Sequence, residues 1–397
     1  MQPTKPLDGT KVLDVTQVLS GPFASMLLAD MGADVVKIER PDTGDVARGN
    51  APFVGDQSAY FISVNRNKRS VALDLKSDEG REAFLRLAEK ADVIVENYQP
   101  GTMERFGLGY EAIRKRNEQI VYCSISGFGQ SGPYADRPAL DIIVQAMSGN
   151  MSITGPEDSK PYRSGIPIAD IAGSMYAVQS ILGALLKRGQ TGSGQFIDIS
   201  MMDALVSWLT VRTAYTFAMG DPYPRNGNKL SEYVPYGVFE TSDGYLALVA
   251  LHDRHWRQIC DLLGMPELGN DERYATLEKR LENRVEVEAL IQEKLVERPS
   301  QEWFELLSTN SVPAGPILNT LEVWDDPHVQ SRNLLSQIIV DDESFDVIKY
   351  PVPQFSGEIT TGVPDIGEHS YDELRAAGYS DEEIAALESQ DVVRSID

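Results

Sequence analysis

Residues 11–38 read KVLDVTQVLSGPFASMLLADMGADVVKI. Two short, mostly apolar runs at residues 11–15 and 33–38 are typical of buried strands. Residues 22–31 between them have the pattern of an amphipathic helix that Gly32 ends. This order predicts a βαβ unit. Its two strands are parallel, because the helix between them carries the chain back to the edge of the sheet where the first strand began.

The same alternation continues through the first half of the chain. Apolar runs at residues 70–75, 92–96 and 120–125 predict three more strands, and helical patterns at 78–90 and 110–116 separate them. Repeated βα units predict an α/β fold with a parallel sheet covered by helices on both faces. Ligands bind beyond the carboxyl ends of such strands, which draws attention to the loops at residues 16–22, 39–49, 97–105 and 126–138.

The pattern changes after residue 200. Helical residues 201–219 and a polar stretch at 220–231 precede a predicted hairpin at 237–251, which turns at residues 242–244. We expect a large domain from residues 1–200 together with 329–397, a linker at 201–228 and a small α+β domain at 229–328. The remaining predicted elements are helices at 255–263, 284–296 and 300–307, strands at 335–340 and 347–350, and an acidic helix pair at 372–387.

One long apolar helix lies at the centre of the chain, in residues 163–200, RSGIPIADIAGSMYAVQSILGALLKRGQTGSGQFIDIS. It is predicted over residues 171–186, with Lys187 and Arg188 in its last turn and Gly189 just past its end. Asp170 stands where this helix begins. Backbone N–H groups at a helix N-terminus would hold its carboxylate ionised, as a reactive group requires. The same position also suits a simple N-cap, and the residues alone leave both interpretations open.

Composition excludes several classes of protein. The net charge of −24 disfavours nucleic acid and anionic membranes as partners. No stretch approaches the roughly 20 apolar residues of a membrane span, and the first residues lack the apolar segment of a signal peptide, so we expect a cytoplasmic protein. Two cysteines, Cys123 and Cys260, are too few for a disulfide framework, and neither is a strong candidate nucleophile.

Common catalytic motifs are absent from the sequence. The turn after the first strand, TQVLSGP, holds one glycine rather than G-x-G-x-x-G, which argues against a nicotinamide dehydrogenase. Neither a G-x-S-x-G elbow nor a phosphate-binding G-x-x-x-x-G-K-[ST] loop occurs. His252 and His255 form the one tight histidine pair, which is better explained as a surface cluster at a helix start than as a metal site. We therefore predict no metal.

Several segments together resemble the class III CoA-transferases, the family that also contains α-methylacyl-CoA racemase. The resemblance runs from residue 6 to beyond residue 378. It implies a Rossmann-like large domain, a smaller α+β domain and an interlocked homodimer. The segments that carry it are residues 11–45, NRNKRSVALDLKS, ADVIVENYQPGTMERFG, GFGQSGPYADRPALD, the Asp170 stretch with TGSGQFIDISMMDA, VPAGPI and GEHSYDELRAAGYS.

The resemblance also implies an activity and a set of site residues. CoA would pass from an acyl-CoA donor to a small carboxylic acid through a covalent aspartyl-CoA intermediate, with CoA as substrate and no permanently bound cofactor. The family's nucleophile falls on Asp170, and Asp141 matches a second acidic position beside it. The CoA-binding positions fall on Gln17, Arg40, Leu73, Lys76, Asn97 and Arg105.

Two alternatives and one departure accompany the resemblance. A racemase of this fold needs an acid and a base on opposite faces of the substrate, and Leu140 stands where such relatives carry the histidine. The third possibility is a CoA-binding protein without catalysis. Some members carry a glycine run that closes over the intermediate, whereas Gly227 and Gly237 lie far apart here.

Overall fold

The structure is a computed structural model that describes residues 5–355, 359 and 362–396. The chain divides into two compact units. The first comprises Met1–Asn150, Arg163–Tyr215 and Asn333–Asp397, and the second Met151–Tyr162 and Thr216–Arg332.

The first half of the chain alternates strands and helices, as the sequence predicts. Its elements are β1 (Lys11–Val15), α1 (Ser20–Asp30), β2 (Asp34–Glu39), β3 (Phe53–Val54), β4 (Gln57–Ser58), α2 (Ala59–Asn65), β5 (Lys68–Leu73), α3 (Asp78–Ala88), β6 (Val93–Glu96), α4 (Thr102–Arg105), α5 (Tyr110–Arg114), β7 (Val121–Ser126), α6 (Asp141–Met147), α7 (Ile168–Thr191) and β8 (Gln195–Ser200).

The second half is richer in helices. Its elements are α8 (Met201–Trp208), α9 (Thr210–Met219), β9 (Tyr236–Glu240), β10 (Tyr245–Val249), α10 (Asp253–Leu262), α11 (Pro266–Asn270), α12 (Leu277–Glu282), α13 (Arg284–Leu295), α14 (Ser300–Thr309), β11 (Ala314–Pro316), α15 (Pro327–Ser331), β12 (Leu335–Val340), β13 (Glu343–Ile348), α16 (Ser370–Ala376), α17 (Asp381–Ser389) and β14 (Val393–Arg394).

A seven-stranded sheet forms the centre of the first unit, in the order β14-β5-β2-β1-β6-β7-β8. Six neighbouring strands from β5 to β8 are parallel, and only the edge strand β14 is antiparallel to β5. The strand order reverses direction at β1 and β6, because β1 pairs with β2 on one side and with β6 on the other. Loops that leave a parallel sheet at such a point form the usual ligand crevice.

Both faces of this sheet are buried under helices, which confirms the predicted layers. Val12, Val95 and Ile125 face one side and pack with apolar residues of α1 and α7. Leu13 and Ile94 face the other side, where α3, α16 and α17 cover the sheet. The strands are therefore apolar on both faces, as expected for a parallel sheet.

The second unit has its own core around the antiparallel sheet β11-β10-β9. Leu246 and Leu248 of β10 are fully buried, together with Trp256 of α10 and Trp303 of α14. The predicted hairpin is confirmed, since β9 and β10 pair from Tyr236 with Val249 to Glu240 with Tyr245. In the first unit, β12 and β13 form a further two-stranded sheet.

Helix α7 is longer than predicted at both ends. It begins at Ile168, so Asp170 lies in its first turn, and its N-cap residue is Pro167. It continues past Gly189 to Thr191 and ends at Gly192, whose φ of 72° lies in the left-handed region. The helix ends where the backbone reverses, and glycine adopts that conformation without a steric cost. The predicted helix at 201–219 is also two helices, separated at Leu209.

By length and composition α7 could cross a membrane, with a mean hydropathy of 1.3 over 18 residues. The expectation that no stretch approaches a membrane span is therefore corrected for this helix. About 44% of that window is buried inside the protein, and α7 packs against α1, α8, β7 and β8. It is a partly buried core helix.

Candidate active site

Two loops meet where the strand order of the large sheet reverses. Gln17 follows β1 and Asn97 follows β6. The Gln17 backbone N–H donates to Asn97 Oδ1 at 2.8 Å, and Asn97 Nδ2 donates to the Gln17 carbonyl at 2.8 Å. One amide side chain thus satisfies both backbone groups of Gln17. The arrangement indicates that Asn97 positions the first loop.

The residue after Gln17 has an unusual backbone conformation. Val18 has a φ of 67°, which is costly for a β-branched residue. Asp45 Oδ1 accepts a hydrogen bond from the Val18 N–H at 3.1 Å, and Lys37 Nζ donates to the Thr16 carbonyl at 2.8 Å. Lys37 and Asp45 pair at 2.9 Å, and both side chains are fully buried. This buried ion pair therefore holds the strained loop in place through these two hydrogen bonds.

Further charges surround the same loop. Asp14 accepts hydrogen bonds from the Thr16 N–H at 3.0 Å, from Ser25 Oγ at 2.7 Å and from Lys68 Nζ at 2.8 Å. Burial alone would raise the pKa of Asp14, but Lys37 and Lys68 outweigh it and lower that pKa well below the usual range. Burial lowers the pKa of Lys68 to about 8 despite the attraction of Asp14. The loop therefore rests on a buried set of mutually paired charges.

Asp170 lies in the first turn of α7, which is linked to the start of α1 directly after this loop. The Ser174 hydroxyl lies 2.7 Å from the Asp170 carbonyl oxygen and 2.6 Å from the Ser20 carbonyl oxygen, so it links α7 to the start of α1. Among the residues that the structure describes, none donates a hydrogen bond to the Asp170 carboxylate. That carboxylate is therefore not used as a cap, and its oxygens are available for chemistry.

Asp141 occupies the helix N-terminus instead. Its Oδ1 accepts a hydrogen bond from the Ala169 N–H at 2.8 Å, and its Oδ2 accepts one from Gln145 Nε2 at 2.7 Å. Gln145 is fully buried, and its Oε1 accepts from the Ser164 N–H at 2.9 Å. Asp141, at the start of α6, thus caps the N-terminus of α7. Gln145 orients Asp141 and also fixes the segment that leads into α7 through its bond with Ser164.

The electrostatics of Asp170 differ from the sequence-based expectation. Burial, and then the negative charge of Asp141, raise the pKa of Asp170 to about 7. The helix N-terminus does not hold Asp170 ionised, because Asp141 accepts the N–H of Ala169. Burial and the charges of Asp170, Asp45 and Asp141 also raise the pKa of Tyr60 to about 12. Tyr60 is a protonated donor near this site, and no sequence motif pointed to it.

A cavity of about 1060 Å³ opens beside the first loop. Four of the predicted CoA-binding residues, Gln17, Arg40, Leu73 and Lys76, line it. Asn97 and Arg105 do not, although their neighbours Tyr98 and Phe106 do. Arg105 instead donates to Thr102 Oγ1 at 2.7 Å on the exposed helix α4.

The cavity also includes the end of the chain, which the sequence did not suggest. Glu388, Asp391 and Arg394 lie on its wall. Arg394 belongs to the two-residue strand β14, and Glu388 lies at the end of α17. Segments this short show no hydrophobic periodicity, so a sequence pattern could not reveal them. Arg40 in the same cavity pairs with Asp42 at 2.6 Å, and both side chains are more than half exposed.

The structure offers little support for other chemistry. The His252 and His255 rings lie 5.2 Å apart at the start of α10, and no group of three potential metal ligands occurs within the described residues. Burial raises the pKa of the Cys123 thiol well above its usual value, so this cysteine is a poor nucleophile.

Comparison with known proteins decides the family. The family described as CoA-transferase family III matches residues 7–370. The chain belongs to CoA-transferase family III. The succinyl-CoA:mesaconate CoA-transferase of Haloarcula hispanica is 41% identical over 386 residues, which cover 94% of this chain and 96% of that protein. The human succinyl-CoA:glutarate CoA-transferase is 37% identical over 401 residues, covering 99% of this chain and 91% of that protein.

Solved structures agree. A CAIB/BAIF family protein from Brucella suis has a TM-score of 0.86 and 35% identity, and the match covers 94% of this chain and 100% of that chain. The enzyme is thus a family III CoA-transferase with the CaiB/BaiF fold, and it transfers CoA between acyl groups. The racemase alternative lacks its histidine, since Leu140 has no group that can donate or accept a proton.

Proposed function

We propose that this CoA-transferase forms a covalent intermediate on Asp170. The Asp170 carboxylate attacks the carbonyl carbon of the donor thioester, and the CoA thiolate leaves, so a mixed anhydride forms. The thiolate then attacks the Asp170 carbonyl carbon, which releases the donor's carboxylate and leaves an aspartyl-CoA thioester. The same two steps in reverse, with the acceptor carboxylate, form the new acyl-CoA and restore Asp170.

The availability of the Asp170 carboxylate carries this proposal. It accepts no hydrogen bond from the described residues, it is partly buried, and its pKa near 7 leaves a large ionised fraction at neutral pH. A carboxylate without hydrogen bonds is more nucleophilic than one that caps a helix. Because Asp141 occupies the end of α7, Asp170 is spared the capping role.

CoA is proposed to bind in the cavity beside the first loop. Gln17, Arg40, Leu73 and Lys76 would contact it there, since fixed cations pair with phosphates even in an acidic protein. Asn97 would contribute to CoA binding indirectly, because it positions Gln17 through two hydrogen bonds. Arg105 would contribute from a position outside the cavity wall. We propose a succinyl-CoA donor and a dicarboxylic acid acceptor, because near-full-length relatives carry those substrates in their names.

Substitution of the nucleophile tests the mechanism. Asp170→Asn should fold with unchanged circular dichroism and lose at least about a thousandfold in turnover, because an amide is a far poorer nucleophile than a carboxylate. Asp381→Asn, an exposed residue in the first turn of α17, is the matched control and should remain active. Retention of more than a tenth of the wild-type rate by Asp170→Asn would contradict the assignment.

Mass spectrometry tests the intermediate and the substrates together. Wild-type enzyme mixed with succinyl-CoA should gain the mass of CoA less one water on the peptide that contains Asp170, because a thioester replaces the carboxyl group, whereas Asp170→Asn should not. The enzyme and succinyl-CoA are then mixed with each of mesaconate, glutarate, oxalate and several monocarboxylic acids. The acid whose CoA thioester appears in the mass spectrum is the acceptor. Product formation with monocarboxylic acids alone would overturn the dicarboxylate proposal.

The assembly is proposed to be an interlocked homodimer, with the first unit as its Rossmann-like large domain and the second as its small α+β domain. Apolar side chains in the first unit support a partner, because several in helices or at a helix N-cap are exposed to solvent. Leu140 is 73% exposed and Val211 is 55% exposed, and Ile142, Ile143, Val206 and Trp208 are between 43% and 47% exposed. A second copy would cover them. We also propose that the enzyme works in the cytoplasm.

A further inference from the structure

The last strand of the chain lies against the predicted CoA segment. Strand β14 pairs with β5 in antiparallel register, Val393 with Leu73 and Arg394 with Ala72. Strand β5 leads directly into residues 73–76, which include Leu73 and Lys76 of the cavity wall. The register therefore places Arg394 beside this segment, although 318 residues separate Arg394 from Lys76 in the sequence.

The backbone of Arg394 is firmly held. Ser370 Oγ donates to the Arg394 carbonyl oxygen at 2.6 Å, and the Asp74 N–H donates to the Val392 carbonyl at 2.8 Å. Gly367 packs so closely on the Arg394 carbonyl oxygen that a Cβ there would collide with it. These contacts position the residue without using its guanidinium group.

Among the residues that the structure describes, the guanidinium group of Arg394 has no hydrogen-bond or ion-pair partner. Its side chain is exposed and lines the cavity, and within the described part of the chain no carboxylate forms an ion pair with it. Arg40, by contrast, already pairs with Asp42 at 2.6 Å. A cation fixed at a cavity wall without a protein partner is poised to bind an anionic ligand.

We infer that Arg394 binds a phosphate group at the nucleotide end of the acyl-CoA substrate. This inference rests on the proposed CoA site and adds a residue from the other end of the chain to it. Glu388 and Asp391 lie on the same C-terminal part of the wall, so without Arg394 that part would present two carboxylates and no cation to an anionic ligand. Arg394 both contacts the phosphate and offsets this repulsion, and its loss should affect affinity more than the loss of a single neutral hydrogen bond.

Calorimetry on the full-length enzyme tests the inference, with CoA and 3′-dephospho-CoA as probes. Arg394→Ala should raise the dissociation constant for CoA by at least about tenfold, the scale of a charge-assisted hydrogen bond. Arg394→Lys keeps the charge and should recover most of the affinity. Arg375→Ala removes an exposed arginine from the same C-terminal segment but outside the cavity, and it should bind like wild type.

The second probe identifies the phosphate. A loss confined to CoA supports a contact with the 3′-phosphate, and an equal loss with both probes supports a contact with the diphosphate. If Arg394→Ala and Arg375→Ala bind CoA equally well, the inference is overturned while the proposed function stands. If the wild-type enzyme binds no CoA in this assay, the proposed CoA site fails as well. Unchanged thermal unfolding of each variant excludes loss of the fold as the cause.

Discussion

At the scale of single residues, Asp170 and Asp141 divide two tasks between them. Both carboxylates lie near the start of α7, and the structure gives the helix N–H of Ala169 to Asp141. The Asp170 carboxylate accepts no hydrogen bond from the part of the chain that the structure describes, and its pKa is about 7 because it is partly buried beside a second negative charge. The arrangement favours a nucleophile that is less stabilised than an ordinary capping aspartate.

This division predicts how activity depends on pH. The nucleophile must be ionised, so kcat/KM for the acyl-CoA donor should rise with pH to a plateau, with a midpoint near 7. Asp141→Asn removes the neighbouring charge while its Oδ1 can still accept the Ala169 N–H, so the midpoint should move to lower pH. Rate profiles of both proteins between pH 5 and 9 provide the measurement. A midpoint that moved upward in the variant would contradict this account.

The same pKa predicts a stability effect. Burial raises the pKa of Asp170 from 3.8 to about 7, so the folded protein favours the protonated form. The free energy of unfolding should therefore fall as pH rises from about 4 to about 7 and stay level above that range, by up to about 4 kcal/mol. Asp170→Asn escapes this loss and should be more stable than wild type at pH 8 but not at pH 4. Chemical denaturation at the two pH values measures it, and equal differences at both would refute it.

At the scale of elements, the loop between β1 and α1 is held by side chains from β1 and β2 and from the segments that follow β2 and β6. The backbone N–H groups of Thr16, Gln17 and the left-handed Val18 donate to the side chains of Asp14, Asn97 and Asp45 respectively. The Thr16 carbonyl accepts from Lys37, which also pairs with Asp45. A loop whose backbone is hydrogen-bonded at Thr16, Gln17 and Val18 can present Gln17 to the cavity in one conformation. The rigidity comes from partners that are distant in sequence.

The buried Lys37–Asp45 pair predicts a large loss of stability for Lys37→Met. The substitution keeps the shape of the side chain but leaves the buried carboxylates of Asp14 and Asp45 without Lys37, so the free energy of unfolding should fall by about 3–5 kcal/mol. Lys187→Met, on the exposed side of α7, makes the same chemical change at the surface and should cost less than about 1 kcal/mol. Urea denaturation measures the free energy of unfolding of the two variants and of the wild type. Similar losses in both variants would show that the buried pair contributes little.

At the scale of the whole molecule, the acidic charge and the exposed apolar side chains act together. A net charge of −24 keeps copies of the protein apart at long range, whereas apolar surface favours one specific partner. Salt screens the repulsion beyond about 8 to 10 Å, so a close apolar interface can still form. The proposed homodimer would be consistent with both features.

An interlocked dimer predicts a particular response to dilution. Two linked rings cannot separate unless one of them opens, so dissociation should coincide with unfolding. Light scattering together with circular dichroism along a dilution series tests this. Observation of a monomer with native circular dichroism would rule out the interlocked arrangement.

The alternation of strands and helices was readable from the sequence because each element has its own period and its own stop signals. Strands β1, β2, β6 and β7 lie within one or two residues of their predicted bounds, since their apolar runs must fill both faces of a buried parallel sheet. The predicted stop of α7, Gly189, stays inside the helix, which ends at Gly192 because that glycine has the left-handed backbone conformation.

The sequence by itself determined the α/β class, the family and the candidate residue Asp170, because those depend on local patterns and on motifs in chain order. Only the tertiary structure decided that Asp141 takes the helix N–H, that Asp170 has a pKa near 7, and that Arg394 reaches the cavity. Each of these depends on burial or on a charge contributed by a segment far along the chain. Residue order does not state such distances, because they arise only when the strands pair and the helices cover them.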